Sequence, residues 1–317
     1  MKAAIVERAG RAPVYGDFPT PVVGEGEVRV SVTAAALSHV VRGRASGSHY
    51  SSGGQFPFVV GIDGTGRLDD GTRVFFYMPE APQGSMAAET VVDARRCIPL
   101  PPDLDDVTAA AIAIPGVSSW AALTERAQLR QGETVLVNGA TGAAGRLAVQ
   151  IAKHLGAGKV IATGRNPESL AALPALGADV VVPLVEDDDA LEQSLKGQFA
   201  SGIDIVLDYL WGRSARIALI AAARAGAESV PVRFIAIGSA GGPEIALPGA
   251  VLRSSSIELK GSGLGSIAPA QFLGAIKALL AAATPAGLRI ATRAVPLADI
   301  GSAWSRADDG FRTVLTP

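Results

Sequence analysis

The chain has 317 residues, 48% of them hydrophobic and 18% charged, and its formal net charge is −2. That balance supplies a sizeable core and leaves no basic surface for nucleic acid. One cysteine, Cys97, excludes a disulfide framework and a Cys-rich zinc lobe.

Met1-Lys-Ala-Ala-Ile-Val6 reads as a first strand and lacks the apolar core and cleavage site of a signal peptide. Residues 28–33 alternate apolar and polar, the pattern of a half-buried antiparallel strand. Residues 58–62, 73–77 and 89–92 continue it between Gly, Asp and Pro clusters, so the first 115 or so residues read as an irregular, mostly β domain. Residues 109–114 open a helical segment that Pro115-Gly116 is expected to interrupt before 120–123. No apolar run that would span a membrane is expected. A soluble, cytoplasmic protein is the expectation.

From about 118 to 265 strands and helices alternate. Strands are expected at 134–137, 160–163, 179–182, 203–207, 233–237 and 256–260. Helices are expected at 145–155, 168–176, 213–225 and 248–254, with one more at 268–280. Six strands with helices between them predict an α/β fold with a doubly wound parallel sheet.

The first of these strands runs into a turn of small residues, Asn138-Gly139-Ala140-Thr141-Gly142-Ala143-Ala144-Gly145. Ala148, Ile151, Ala152 and Leu155 then repeat on one helix face, and Gly156 follows as a C-cap. Strand, glycine turn and helix form the context of a dinucleotide fingerprint, here Ala140-x-Gly142-x-x-Gly145. Gly142 lets backbone approach a pyrophosphate, Gly145 lets the helix pack on its strand, and the helix amides face the negative charge. The competing reading is a capping turn with no ligand. The second strand ends in Gly164-Arg165-Asn166, where an NAD site would place a carboxylate about 20 residues after the glycines. Arg165 suits a 2′-phosphate, Gly164 leaves room for it, and the expected cofactor is NADPH. The alternative for Arg165 is a solvated loop charge.

The chain resembles the medium-chain dehydrogenase/reductase superfamily, in its zinc-free quinone oxidoreductase branch. The resemblance runs through residues 24–30, Pro57-Phe-Val-Val-Gly-Ile-Asp-Gly-Thr-Gly66, Gly84-Ser-Met-Ala-Ala-Glu89, 133–156 and 204–208. It implies a GroES-like catalytic domain (1–117 and 266–317) around a Rossmann NADP-binding domain (118–265), with the active site between them. Metal-dependent members carry Cys at the position of Ser38 and Gly-His-Glu at Gly61-Ile62-Asp63. A catalytic zinc needs three converging ligands, and no metal site is expected. The branch's usual Asn and Asp are replaced here by Ser38 and Val41, so those roles transfer only loosely.

Ser38, His39 and Tyr50 are the candidates for hydrogen bonding a substrate oxygen, with His49 and Tyr50 on a polar loop that could cover it. The alternative is that the loop only shapes and dries the pocket. Asp208-Tyr209-Leu210-Trp211-Gly212 follows a strand at the edge where ligands bind. Tyr209 and Leu210 are candidate cofactor contacts, with packing as the competing role. The resemblance adds Gly238 and Ser239 on the nicotinamide side and Gly263 and Leu264 near its carboxamide. It also implies a homodimer through the edge strand 256–261; the competing reading is a monomer whose edge Lys260 blocks.

These readings point to an NADPH-dependent reductase of quinones or other conjugated carbonyl compounds. A 2-alkenal or enoyl-thioester reductase is the alternative, with Arg42 and Arg44 as the only pointers to a CoA substrate. An NADPH-binding structural or sensor protein with vestigial catalysis is the reading from another class.

Overall fold

The computed structural model describes residues 1–47, 55–226, 230–306 and 310–317. It divides into two compact units, Met1–Ile114 with Leu280–Pro317, and Pro115–Leu279.

The first unit is mostly β. It contains β1 (Lys2–Val6), β2 (Val14–Asp17), β3 (Glu27–Ala36), α1 (His39–Ser46), β4 (Phe58–Val59), β5 (Asp63–Arg67), β6 (Arg73–Tyr77), β7 (Glu89–Asp93) and β8 (Cys97–Pro99). α2 (Asp106–Ala121) begins in this unit and ends in the second. Period-two patterning fills one core, where Val30 and Val32 of β3 meet Val74 and Phe76 of β6 and Val92 of β7. Farther along β3 the buried residues shrink to Ala34 and Ala36, which lets Ala110 and Ala111 of α2 lie close. α1 is a helix the sequence pattern did not announce. Its buried residues are only Val41 and Ala45, and Ser38 caps it by accepting from Val41 N at 3.1 Å. The strand expected at 58–62 is cut short, because Gly61 turns to φ 110° before β5 begins.

The second unit holds β9 (Thr134–Asn138), α3 (Ala143–His154), β10 (Lys159–Gly164), α4 (Pro167–Ala171), β11 (Val180–Pro183), α5 (Asp188–Ala200), β12 (Ile205–Asp208), α6 (Gly212–Ala225), β13 (Val232–Ala236), α7 (Gly249–Arg253) and β14 (Ile257–Gly261). α8 (Pro269–Ala282) then leads back to the first unit, where β15 (Thr292–Pro296), α9 (Ile300–Ser305) and β16 (Arg312–Thr316) follow. The six strands of the second unit run parallel in the order β11-β10-β9-β12-β13-β14. The order reverses direction beside β9, which is the doubly wound arrangement. In the first unit β15-β16-β3-β5-β6-β8 form a seven-stranded sheet with β7, which pairs with β3, and β2-β1-β4 form a small antiparallel one.

Three local expectations give way to packing. α2 runs through Pro115 without a break and continues as a π-helical turn, Ala122–Ala127. Proline's fixed φ suits a helix, the Ser118 hydroxyl donates to Pro115 O, and Gly116 accommodates Leu279 of α8. Residues 106–127 are also long and apolar enough to cross a membrane, but most of that stretch is buried in the core. The helix expected over 168–176 stops at Ala171 and resumes as a 3₁₀ turn at Pro174–Leu176. α5 is additional: Leu191, Leu195 and Phe199 repeat at i, i+4 and i+8, each burial stabilising by about 1.5–3 kcal/mol.

Candidate functional site

Three loops meet at the carboxyl ends of β9, β10 and β12, beside the point where the strand order reverses. The first begins at Gly139, where φ is 92°, and a Cβ there would lie 2.8 Å from Leu210 Cγ. A Cβ on Gly145 would lie 2.3 Å from Gly139 O, so the close approach of α3 to its strand requires that glycine. Gly142 differs: it is exposed, and a Cβ there would meet nothing within 4 Å. It caps α3 without any side-chain hydrogen bond, so the helix presents its positive end and the amides of Ala143 and Ala144. Ala140 is buried and gives its N–H to Thr163 O at 2.8 Å, which commits that amide to the sheet. Thr141 O accepts from Arg146 Nε at 3.0 Å. An anion would be held by the open turn at Gly142 and the amides beyond it.

The second loop leaves β10. A Cβ on Gly164 would lie 2.4 Å from Thr141 Cγ2, so this glycine makes room for Thr141. Arg165 is exposed and, among the described residues, has neither a hydrogen bond nor an ion pair. Asn166 caps α4 by accepting from Ser169 N at 2.8 Å. The loop therefore offers one uncommitted guanidinium beside a fixed helix start.

The third loop hangs on Asp208, which is fully buried at the end of β12. Its carboxylate accepts from Asn138 Nδ2 at 2.8 Å, Leu210 N at 3.1 Å and Trp211 N at 3.1 Å. Burial pushes its pKa up to about 6 despite these donors. Asn138 also donates to Ser214 Oγ at 3.0 Å and accepts from Thr163 Oγ1 at 2.8 Å. Thr163 Oγ1 in turn accepts from Gly139 N at 3.1 Å. The Asn138 side chain is thus spent inside the protein. Tyr209 places its hydroxyl 2.7 Å from Ser119 Oγ, and burial pushes the phenol up to about 12. Trp211 sits at φ 55° and ψ −151°, a backbone region that strains any residue with a side chain.

A fourth loop backs this one. A Cβ on Gly238 would lie 2.6 Å from Tyr209 O, and one on Gly212 would lie 2.4 Å from Gly241 O. Gly238 and exposed Ser239 therefore lie against the Asp208 loop. After β14, Arg126 from the π-helical turn donates to Gly261 O at 2.8 Å and Ser266 O at 3.3 Å. Between those anchors Gly263 and Leu264 are exposed. Sequence reasoning missed Thr163, Ser214, Ser119 and Arg126; only the placement of 163 and 208 at strand ends pointed toward them.

The other candidates belong to the first unit. Ser38 is buried, with its oxygen accepting from Val41 N, and His39 is exposed at the start of α1. His49 and Tyr50 lie outside the described residues. Arg42 stacks on Trp304, 5.4 Å from its ring centroid, and donates to Trp304 O, so its charge is engaged within the unit. Arg44 is half-buried against Met78. Asp63 is fully buried and neither oxygen has a hydrogen-bond partner. Burial pushes it up to about 7, opposed by the charge of Arg312. Among the described residues no three His, Cys, Asp or Glu side chains group as metal ligands.

The family model described as "Zinc-binding dehydrogenase" matches residues 143–281. That span omits Ser38, Ile62 and Asp63, where metal ligands would stand. A probable NADPH-dependent quinone reductase of Emericella nidulans is 28% identical over the full length of both chains. The quinone oxidoreductase of Thermus thermophilus, whose structures include a complex with NADPH, is 28% identical with a TM-score of 0.83, over 100% of both chains. A spectinabilin polyketide synthase system protein of Streptomyces orinoci is 36% identical over 59% of this chain, which spans 8% of that protein's length.

Proposed function

Because this chain belongs to the medium-chain dehydrogenase/reductase superfamily, in its quinone oxidoreductase-like branch, we propose that it is a zinc-independent reductase acting on quinones or other conjugated carbonyl compounds. It is an NADPH-dependent oxidoreductase. When bound, the nicotinamide supplies the hydride, and the protein's part is to orient, to exclude water and to steady a developing oxyanion. The observation that carries the reading is the open turn at Gly142 beside the uncommitted Arg165. Gly142, Ala143 and Ala144 hold the pyrophosphate at the start of α3, and Arg165 pairs with the 2′-phosphate. Tyr209, Leu210, Gly238, Ser239, Gly263 and Leu264 border the nicotinamide half. Ser38 and His39 are the described candidates for hydrogen bonding the substrate oxygen.

Zinc independence is supported by Ser38 and Ile62 standing where metal-dependent relatives supply thiolate and imidazole. A homodimer through β14 is supported by that strand's place at the end of the sheet order, with Leu259 39% exposed. Sedimentation of the purified protein tests it, and a monomer at micromolar concentration removes it.

The deciding assay follows NADPH oxidation with a 1,4-quinone, an ortho-quinone and an α,β-unsaturated aldehyde, each with and without EDTA. Turnover of quinone that is indifferent to EDTA is expected. Loss of turnover with EDTA would remove zinc independence, and reduction of the aldehyde alone would move the substrate to the alkene class. Arg165→Ala is expected to raise KM for NADPH by about 10- to 100-fold while leaving NADH kinetics unchanged.

A further inference from the structure

Thr163, Asn138, Asp208 and Ser214 come from four different elements, β10, β9, β12 and the start of α6. All four are buried, and each link of the chain joining them is a hydrogen bond of 2.8 to 3.0 Å. The chain does not stop at side chains. Thr163 Oγ1 takes the amide of Gly139, where the glycine turn begins, and Asp208 takes the amides of Leu210 and Trp211. Thr163 also immediately precedes Gly164 and Arg165. Every loop assigned to the cofactor at β9, β10 and β12 therefore departs from one member of a single buried network. A residue in strained backbone, Trp211, is held by the same carboxylate.

We propose that this network is a positioning device that sets the three cofactor-facing loops as one unit, with Asp208 as its central positioning residue. The proposal rests on the NADPH reading given above. An ionised carboxylate can only accept, which matches three incoming N–H donors. Protonated, it becomes a donor facing donors, and the loop must rearrange. The groups around Asp208 are neutral: Asn138 from β9, and Tyr209 on its own loop. Thr163 of β10 and Ser214 of α6 reach it through Asn138, and they too are neutral. The charged side chains of α6 are engaged elsewhere, Arg213 and Arg216 with Asp188 and Arg224 with Glu192. Arg165 at the end of β10 is exposed. Asp208 is therefore the group of the network that titrates in the accessible range, near 6.

The test measures binding of NADP⁺, and of NAD⁺, which lacks the titrating 2′-phosphate, between pH 5 and 8. For the wild type, affinity for both is expected to be flat above pH 7 and to weaken on the order of tenfold toward pH 5. Asp208→Asn is expected to weaken NADP⁺ about tenfold at pH 8, to flatten the NAD⁺ profile, and to raise KM for NADPH with kcat within about threefold. Thr163→Val keeps the carboxylate, so it is expected to weaken binding about three- to fivefold while retaining the pH profile. A wild-type NAD⁺ profile without a slope, the same slope in Asp208→Asn, or unchanged affinity in Thr163→Val would overturn the positioning role alone. Absence of NADP⁺ binding by the wild type at every pH would overturn the NADPH reading together with it.

Discussion

Among the described residues each unit buries one aspartate completely, and the two are treated in opposite ways. Asp208 meets three N–H donors, whereas Asp63 meets none on either oxygen. Desolvation raises both, Asp208 to about 6 and Asp63 to about 7. Arg312 helps the ionised form of Asp63 by charge alone, and the donors around Asp208 help it by contact. Burial thus decides the direction of a pKa, while hydrogen bonding decides whether the ionised form has a structural use. Asp208 organises a loop as an anion. Asp63, with nothing to accept from, is kept neutral below about pH 7 and has no comparable partner to organise.

The largest difference should appear on truncation. Asp208→Ala removes the acceptor of one N–H of the Asn138 amide, which keeps Ser214 Oγ for the other, and of the half-buried N–H groups of Leu210 and Trp211. The expected cost is about 3 kcal/mol in urea unfolding at pH 8, and a cost near zero would mean that water replaces the carboxylate. Asp63→Asn should move the other way. Asp63 is raised from its ordinary 3.8 to about 7, so the folded state binds its proton more tightly than the unfolded chain. The resulting stability is fully present below the ordinary carboxylate pKa and is lost as pH rises through about 7. The total loss from this group is at most roughly 4 kcal/mol. Asp63→Asn is therefore expected to be more stable than wild type at pH 8 by about 2 kcal/mol and to show a flatter stability profile between pH 5 and 8. Arg312, left without that counter-charge, keeps the gain below the full amount. A destabilised Asp63→Asn with an unchanged profile would show that Asp63 is ionised and paired after all.

The same contrast marks what a sequence can disclose. The parallel strands were readable because a run such as Val135-Leu-Val137 buries both faces and stands between turn signals. The glycine turn and Arg165 were readable because their spacing is local. α5 was hidden by the acidic run 186–189, although Asp187 caps it and Asp188 and Asp189 favour the positive end of its first turn. α1 was hidden because two buried residues do not make a periodic face. The uninterrupted α2 reflects tertiary packing overriding a proline. Least accessible was the network: Asn138 and Asp208 are 70 residues apart, and nothing local says that they meet. Asp63 was visible only as a departure from a ligand triplet, since exposure and partnering are properties of the folded chain.

The smallest expected effect asks whether the close pairing around Asp208 extends one residue further. Tyr209 follows Asp208 directly, and its hydroxyl and that of Ser119 form a neutral pair at 2.7 Å. Tyr209→Phe removes one partner, but Ser119 keeps Pro115 O at 3.5 Å and Ala144 O at 3.4 Å within reach. The loss should be about 0.5–1.5 kcal/mol of stability, measured by thermal unfolding. The phenol lies near 12, so the loss should be the same at pH 6 and pH 9. KM for NADPH should change by less than about threefold, because the loop remains tied through the Asp208 carboxylate. Turnover abolished with NADPH binding intact would assign the phenol to proton transfer, and the line between positioning and chemistry would then fall between residues 208 and 209.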